Sequence, residues 1–387
     1  MRPRRTRPRP TATVSAIILP MQKRREEVRR AIGAWHFAFP LVFSLLGLLS
    51  LYSTTYTGGW MPSRTVWMQA LWIIAGIAGY FLISRVRFGV RPANFYLLFF
   101  PIEALLLLTL LVGWAAHGSR RWLKIWEITV QPSEFAKFFA VLLLAYFLTE
   151  YFRSEEARRF FAAVGVLLAL TVPIVLQPDL GTAMVFLFLL LTVLWVKPFP
   201  WRYIVGIFAA LVIVAVPGWF VLNDYQRARI VTYLQPGRDI LESGYQVHQS
   251  KIAVGSGGVW GKGVLQGTQT QGQFVPEQAA DFIFATVGEE WGLIGSLAVL
   301  LAFGAFFWKM LRLAQRVPGD YQRLIVYGVL AVMFFQLFIN VGMTIGLMPV
   351  TGLPLPFLSY GGSSMVTMWA LCGMLASLDR HLPAGRG

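Results

Sequence analysis

Carboxylates and cations are scarce in this 387-residue sequence, where only 13% of residues are Asp, Glu, Lys or Arg, and several of them stand inside long apolar runs. A charge at the centre of a bilayer costs about 3 kcal/mol or more, so each such residue is a functional suspect. Glu134 and Lys137 are three apart at the start of one run, a spacing that puts both on one helix face and lets them pair internally. Asp179 lies between two runs, beside Pro178 and Gly181. There it either lines a cavity through unwound backbone or caps the helix that follows. Glu289 and Glu290 fall roughly two turns into another run, and adjacent helical residues point about 100° apart. The two therefore cannot face one partner, and structural roles are the expectation for them.

Asp281 closes a long polar stretch directly before Phe282-Ile283-Phe284. Its local sequence fits a helix N-cap as well as a carboxylate presented to a substrate. The stretch before it is glycine-rich from Gly244 to Gly272, with Gly255-Ser256-Gly257-Gly258, Gly261, Gly263 and Gly267 between. Glycines let backbone N–H groups form anion-binding concavities, and Arg229, Lys251 and Lys262 supply cations nearby. Flexible loops look similar, so the cluster alone is weak. Gly261-Lys262-Gly263 lacks the Ser or Thr of a nucleotide-binding P-loop. No Ser/His/Asp arrangement is apparent, and none of the four His forms a metal-ligand pair at helical spacing.

The elements that must hold these groups are membrane helices. Hydrophobic residues make up 56% of the chain and mean hydropathy is +0.60, against the roughly 25% charged residues of a soluble domain. Apolar segments near 34–53, 66–84, 94–114, 134–152, 159–176, 180–196, 203–222, 282–308, 324–347 and 363–378 have the ~20-residue length that crosses a bilayer. The expectation is an all-α polytopic protein of about ten spans, over residues 34–380, with a long extracellular loop, 223–281, between spans seven and eight. The fifth and sixth spans, separated only by Gln177-Pro178-Asp179, form a tight hairpin or a broken pair. Residues 1–33 read as a basic cytoplasmic tail and 381–387 as a short cytoplasmic C-terminal one. The net charge of +16 is distributed in clusters between the runs, without the aromatic-interleaved groove of a nucleic-acid binder. About 24 of the 34 Lys and Arg fall on the side of the termini and about 9 on the other. By the positive-inside rule both termini are cytoplasmic, and Arg121, Arg229, Lys262 and Asp281 are outside. The single cysteine, Cys372, excludes an intramolecular disulfide and reads as a small buried apolar residue.

The run Pro349-Val350-Thr351-Gly352-Leu353-Pro354-Leu355-Pro356-Phe357-Leu358-Ser359-Tyr360-Gly361-Gly362-Ser363-Ser364 resembles the signature of the RodA/FtsW/SpoVE family, the SEDS proteins of shape, elongation, division and sporulation. Other segments match in order: Arg121-Trp122-Leu123, Gln131-Pro132-Ser133-Glu134 with Lys137, Gln177-Pro178-Asp179-Leu180-Gly181-Thr182, Gln226 with Arg229, Gln249-Ser250-Lys251-Ile252-Ala253, and Asp281-Phe282-Ile283-Phe284-Ala285 with Glu289-Glu290. Gly267-Thr268-Gln269 and Leu353-Pro354-Leu355-Pro356 look like the RodA branch rather than the FtsW branch. The basic, Pro-rich N-terminal tail departs from the pattern.

The resemblance implies a peptidoglycan glycosyltransferase that polymerises lipid II, a disaccharide-peptide on undecaprenyl pyrophosphate, at the outer face of the cytoplasmic membrane. It implies a role in elongation and rod shape, and as partners a class B penicillin-binding protein, the rod-shape morphogenesis proteins and membrane lipid, with no nucleic acid. The acceptor hydroxyl must lose a proton, and Asp281 is the carboxylate best placed to take it. Arg121, Trp122, Arg229, Lys251, Lys262, Ser359 and Ser363 are the expected substrate contacts. Glu134, Lys137, Asp179, Glu289 and Glu290 are expected as support. A helix N-terminus would weaken Asp281 as a base, so ligation of Mg²⁺ or Mn²⁺ by Asp281 stays open. Two rivals stand: a lipid II flippase with buried charges as its path, and a non-catalytic scaffold for the transpeptidase, in which Asp281 is only a cap.

Overall fold

The computed structural model describes residues 34–56, 58, 61–88, 92–116, 119–126, 128–151, 155–197, 199–221, 224–235 and 243–382. The basic tail expected over 1–33 lies outside the described residues, as does most of the expected C-terminal tail.

Each of the ten apolar runs contains a long helix. These are α1 (Trp35–Thr54), α2 (Arg64–Ile83), α3 (Pro92–Val112), α4 (Pro132–Tyr146, prolonged by a π-helical turn Phe147–Tyr151), α5 (Glu156–Leu176), α6 (Leu180–Val196) and α7 (Trp201–Val221). After three shorter helices follow α11 (Ile283–Arg316), α12 (Asp320–Thr344) and α13 (Gly362–Arg380). Seven, namely α1, α2, α4, α5, α7, α11 and α12, are long and apolar enough to cross a membrane; α6 and the Leu97–Val112 part of α3 are shorter apolar helices. The chain is an integral membrane protein. Its outer surface is apolar, with Leu82, Leu111 and Ile213 each more than 60% exposed. Buried among the helices, by contrast, are Gln69, Lys137, Glu289, Gln336 and Asn340. That inversion is expected where lipid rather than water surrounds the bundle.

Local sequence explains where the helices begin. Ser63 caps α2 by accepting a hydrogen bond from the Val66 N–H, Pro132 opens α4 where its missing N–H costs nothing, and Asp179 caps α6 through the Thr182 N–H. With only Gln177 to Asp179 between them, α5 and α6 form a hairpin. The bundle is locked by aromatic packing, as where Phe43 stacks on Phe303 with centroids 4.0 Å apart and Tyr80 meets Trp369 edge-on.

Both polar connections that read as loops carry structure. Residues 114–130 form a three-stranded antiparallel sheet, β1 (Trp114–Ala116), β2 (Ser119–Ile125) and β3 (Ile128–Val130), in the order β1-β2-β3. Residues 224–281 hold α8 (Asp224–Leu234), α9 (Ser243–Ser256) and the single turn α10 (Thr268–Gln271). The sheet and these three helices lie at one end of the bundle. Hydrogen bonds join that end across the chain, from Gln131 to Ser363, Gln177 to Leu106, Gln271 to Ser53 and Asn340 to Asp281.

Candidate active site

Asp281 does not cap α11. The N-cap position belongs to Phe282, and no side chain accepts a hydrogen bond there. The Asp281 carboxylate turns instead toward Gly352. A Cβ on that glycine would lie 3.5 Å from Asp281 Oδ2 and 3.8 Å from Arg229 Nη1, so carboxylate and guanidinium both border its bare face. Its φ of +72° is itself a conformation that favours glycine. Burial pushes the Asp281 carboxyl up to about 6, against the opposing pull of Arg229; Glu277 and Asp179 add to the rise, and Arg121 opposes it. The main chain holds the residue firmly. The Asp281 N–H donates to the Glu277 carbonyl, and Asn340 Nδ2 donates both to the Asp281 carbonyl and to that of Leu353, each at 2.8 Å. Two buried oxygens nearby in sequence to these contacts, Asn340 Oδ1 and Thr351 Oγ1, have no partner among the described residues.

Arg229, on α8, donates to the Val350 carbonyl at 3.1 Å, which ties α8 to the strand of chain that carries Gly352. A second cation reaches the same region from the sheet. Arg121 on β2 is nearly buried, with Nη1 3.6 Å from Asp179 Oδ1. Asp179 is therefore both a cap and an ion-pair partner, so the two readings of it are not exclusive. Its carboxylate also accepts from Gln131 Nε2, Ser133 Oγ and Thr182 Oγ1, at 3.0–3.3 Å. Trp122 packs beside Arg121, with the guanidinium carbon 5.1 Å from the ring centroid.

Other residues expected at the substrate are committed elsewhere. Lys262 Nζ lies 2.7 Å from Glu289 Oε1 and donates also to the hydroxyls of Ser256 and Thr268. Glu289, fully buried, accepts in addition from the N–H groups of Gln269 and Thr270 and from the Thr270 hydroxyl, each at 2.8 Å. Lys262 is thus the counter-ion of a buried carboxylate rather than a neighbour of Arg229. Glu290 turns away as the helical geometry requires, to the Ser53 hydroxyl and the Leu265 N–H.

The glycine cluster is likewise structural. Helix α11 breaks at Gly292 (φ +66°, ψ −161°), and the loop is stitched into the break. The Lys262 and Gly263 N–H groups donate to the Glu289 and Glu290 carbonyls, and the Leu293 and Ile294 N–H groups donate to Gly258 and Val259. A Cβ at Gly292 would stand 2.3 Å from the Gly261 nitrogen, so only glycine allows this approach.

The Ser359 hydroxyl accepts from the Leu355 N–H and is buried, and the Ser363 hydroxyl accepts from the Gln131 N–H, so both shape the chain around the site. Lys251 is exposed, in a cavity of about 90 Å³ with Arg229, Tyr233, His248 and Val350. Lys137 and Glu134 pair at 2.6 Å and are both buried. Sequence reasoning missed Asn340, Gly352, Gln69 and Tyr360. Asn340 and Gln69 carried a readable signal as amides within apolar runs, and Gly352 and Tyr360 stand in the family signature without a role legible from it.

As for a divalent ion, no three His, Cys, Asp or Glu side chains converge to hold one among the described residues. Mg²⁺ is commonly held by one or two carboxylates together with substrate phosphates, so Asp281 fits such an ion only jointly with a bound pyrophosphate.

Comparison with known proteins places the chain. The FtsW/RodA/SpoVE family profile, described as "Cell cycle protein", matches residues 33–383. Peptidoglycan glycosyltransferase MrdB of Escherichia coli K12 is 36% identical over 78% of this chain and 83% of its own length. Peptidoglycan glycosyltransferase RodA of Treponema pallidum is 31% identical over 88% and 95%, and stage V sporulation protein E of Bacillus subtilis 36% over 81% and 86%. Among solved structures, a chain of a peptidoglycan synthase complex that coordinates polymerization and crosslinking superimposes with a TM-score of 0.74 at 29% identity, covering 89% of this chain and 96% of that one. The rod shape determining protein RodA of Thermus thermophilus superimposes with a TM-score of 0.65 at 28% identity, over 90% and 98%. The family signature from Pro349 to Ser364, the fold and these relatives together make this chain a member of the FtsW/RodA/SpoVE family.

Proposed function

We propose that this protein, a peptidoglycan glycosyltransferase, polymerises lipid II on the outer face of the cytoplasmic membrane with Asp281 as general base. The observation that carries the assignment of the base is the Asp281 carboxylate, half-buried and free of the helix cap, facing Gly352 together with Arg229. A carboxyl held at about 6 is ionised at neutral pH yet basic enough to take a proton in a transition state. The acceptor's sugar hydroxyl attacks the anomeric carbon of the lipid-linked donor. Its proton passes to Asp281 as the new glycosidic C–O bond forms, and the bond to the pyrophosphate breaks with its electron pair leaving on the pyrophosphate oxygen. Arg229, with Arg121 as a second cation near Asp281, neutralises that leaving charge. A divalent ion, Mg²⁺ or Mn²⁺, would be held by Asp281 together with the substrate's phosphates and would supply further neutralisation. Lys262 is withdrawn from the substrate in this reading and holds the loop instead.

The charge asymmetry of the loops supports cytoplasmic termini and an outer location for the sheet, α8 to α10 and Asp281. The likeness to a chain of a peptidoglycan synthase complex supports a class B penicillin-binding protein as partner, and the RodA relatives support a role in elongation and rod shape with the morphogenesis proteins. The test is glycan synthesis from lipid II by purified protein in detergent, where there is no bilayer to flip across. Wild type is expected to make strands and Asp281→Asn none. Absence of strands from folded wild type, alone and with its transpeptidase, would return the flippase and scaffold readings.

A further inference from the structure

A polymerase that joins two lipid-borne chains must hold two anionic headgroups at once, and the cavity at Arg229 and Lys251 has a volume of only about 90 Å³. A larger cleft opens elsewhere at the same end of the bundle. It has a volume of about 380 Å³ and is lined by Arg64, Thr65, Met68, Lys124, Thr129 and Tyr360. Ligand pockets run from about 300 to 1,000 Å³, so this cleft has the size of one. Its wall is built from three elements. Arg64 and Thr65 are the first two residues of α2, while Lys124 and Thr129 face each other across the β2–β3 ladder. Lys124 Nζ is 4.5 Å from the Trp114 ring centroid, which fixes the ammonium at the rim.

Tyr360 is the element that connects this cleft to the chemistry. The peptide units on both sides of it are clamped by Gln69, which is fully buried. Gln69 Nε2 donates to the Ser359 carbonyl at 3.0 Å, and Gln69 Oε1 accepts from the Gly361 N–H at 3.2 Å. The Tyr360 N–H itself donates to the Ala279 carbonyl at 2.9 Å, two residues before Asp281. A buried glutamine and an inter-loop bond thus hold the Tyr360 backbone at the wall of the cleft. Close packing of the bundle explains a buried Gln, but not a tyrosine held in this way at the wall of a cavity with two cations.

We infer that the cleft between Arg64, Lys124 and Tyr360 is a second substrate subsite, taking the pyrophosphate and first sugar of a polyprenyl-linked glycan. Arg64 stands at the membrane-surface end of α2, at the level of a lipid's phosphates, and the two cations match a pyrophosphate. Tyr360 offers a hydroxyl and a ring face for the sugar. The inference rests on the glycan-polymerising reading above and adds where the second of the two lipids is held.

The test uses the full chain in detergent with Cys372→Ala, Asp281→Asn to halt turnover, and Thr129→Cys as a reporter. Maleimide labelling of that cysteine is followed with inorganic pyrophosphate, lipid II or phosphatidylglycerol added. Pyrophosphate and lipid II are expected to slow labelling about tenfold, and Arg64→Gln with Lys124→Gln to remove the protection. In the catalytically intact chain the same pair of substitutions is expected to raise KM for lipid II about tenfold, chiefly in KM rather than kcat. The kinetic arm needs no cysteine, so a poorly folded reporter does not decide the matter. Unslowed labelling together with unchanged KM overturns the subsite. Equal protection by phosphatidylglycerol also overturns it, because the cleft would then be a general headgroup contact. Polymerisation by Asp281→Asn would sink the catalytic reading, while the protection pattern would still decide the cleft.

Discussion

Replacing Asp281 by Asn separates chemistry from architecture, because it removes a charge and changes almost no volume. The native state lifts this carboxyl from its ordinary 3.8 to about 6, with burial the leading cause. A group whose folded value is raised favours folding while it is protonated in both states, and that contribution is lost as pH rises from about 4 through about 6. The difference corresponds to roughly 3 kcal/mol, an order-of-magnitude figure for what ionised Asp281 costs the fold at pH 8. Asn is neutral throughout, so Asp281→Asn should be more stable than wild type at pH 8, by up to that amount. At pH 4 and below the gap should close. Polymerisation should meanwhile fall by about 10²–10⁴, the usual loss when a general base is removed. The assay is paired: thermal unfolding of both proteins in detergent at pH 8 and at pH 4–5, and strand synthesis from lipid II at pH 8. Near-wild-type synthesis would refute the base, and a variant less stable than wild type at pH 8 would refute the claim that burial strains the carboxylate.

Three further outcomes follow from the same geometry. Wild-type turnover should fall below about pH 6 as Asp281 is protonated; because Arg229 favours the ionised form, Arg229→Gln should move that acid limb to higher pH and raise KM about tenfold, as a pH–rate series will show. Glu289→Gln should destabilise the protein by about 3 kcal/mol, because an amide cannot accept on both sides from the buried donors that converge on this carboxylate, whereas Lys262→Met should cost less because five hydrogen bonds from hydroxyls and N–H groups still reach Glu289; a reversed order in thermal unfolding would contradict this. Lys137→Met should destabilise by about 3–5 kcal/mol through the stranded Glu134 carboxylate, and adding Glu134→Gln should restore most of the loss, so a double variant no better than the single one would place Lys137 outside the pair.

The helices were legible in the sequence because their signal is local: long apolar runs, with Ser63, Pro132 and Asp179 marking starts. The short span between Leu176 and Leu180 was also readable, since three residues ending in Pro178-Asp179 leave little choice but a hairpin. The sheet over 114–130 was not. Its short strands, β1 to β3, pair across sequence that also reads as a polar loop. The fates of the cations were illegible for a different reason. Lys262 and Arg229 are both basic residues of the same polar connection beside family motifs, yet one meets Glu289 and the other faces Gly352 with Asp281. Which partner each finds depends on where α11 breaks, and the break at Gly292 is encoded by a loop some thirty residues upstream.

That break also explains how a carboxylate so unfavourably placed is held. The Gly258 and Val259 carbonyls of the glycine loop accept from the N–H groups just beyond Gly292, and the Lys262 and Gly263 N–H groups donate to the carbonyls before it. Glu289 then gathers α10 through Gln269 and Thr270, and Gln278 ties Thr270 to Thr286, bridging the segment that leads to Asp281 back onto α11. Asn340 closes the ring from α12 by binding the Asp281 and Leu353 carbonyls together. The links through Glu289, Thr270, Gln278, Thr286 and Asn340 satisfy groups that are buried, so releasing one exposes others to the same penalty. A site fixed this way holds Asp281 half-buried and ionised beside Arg229, so the fold sets the proton affinity of the base.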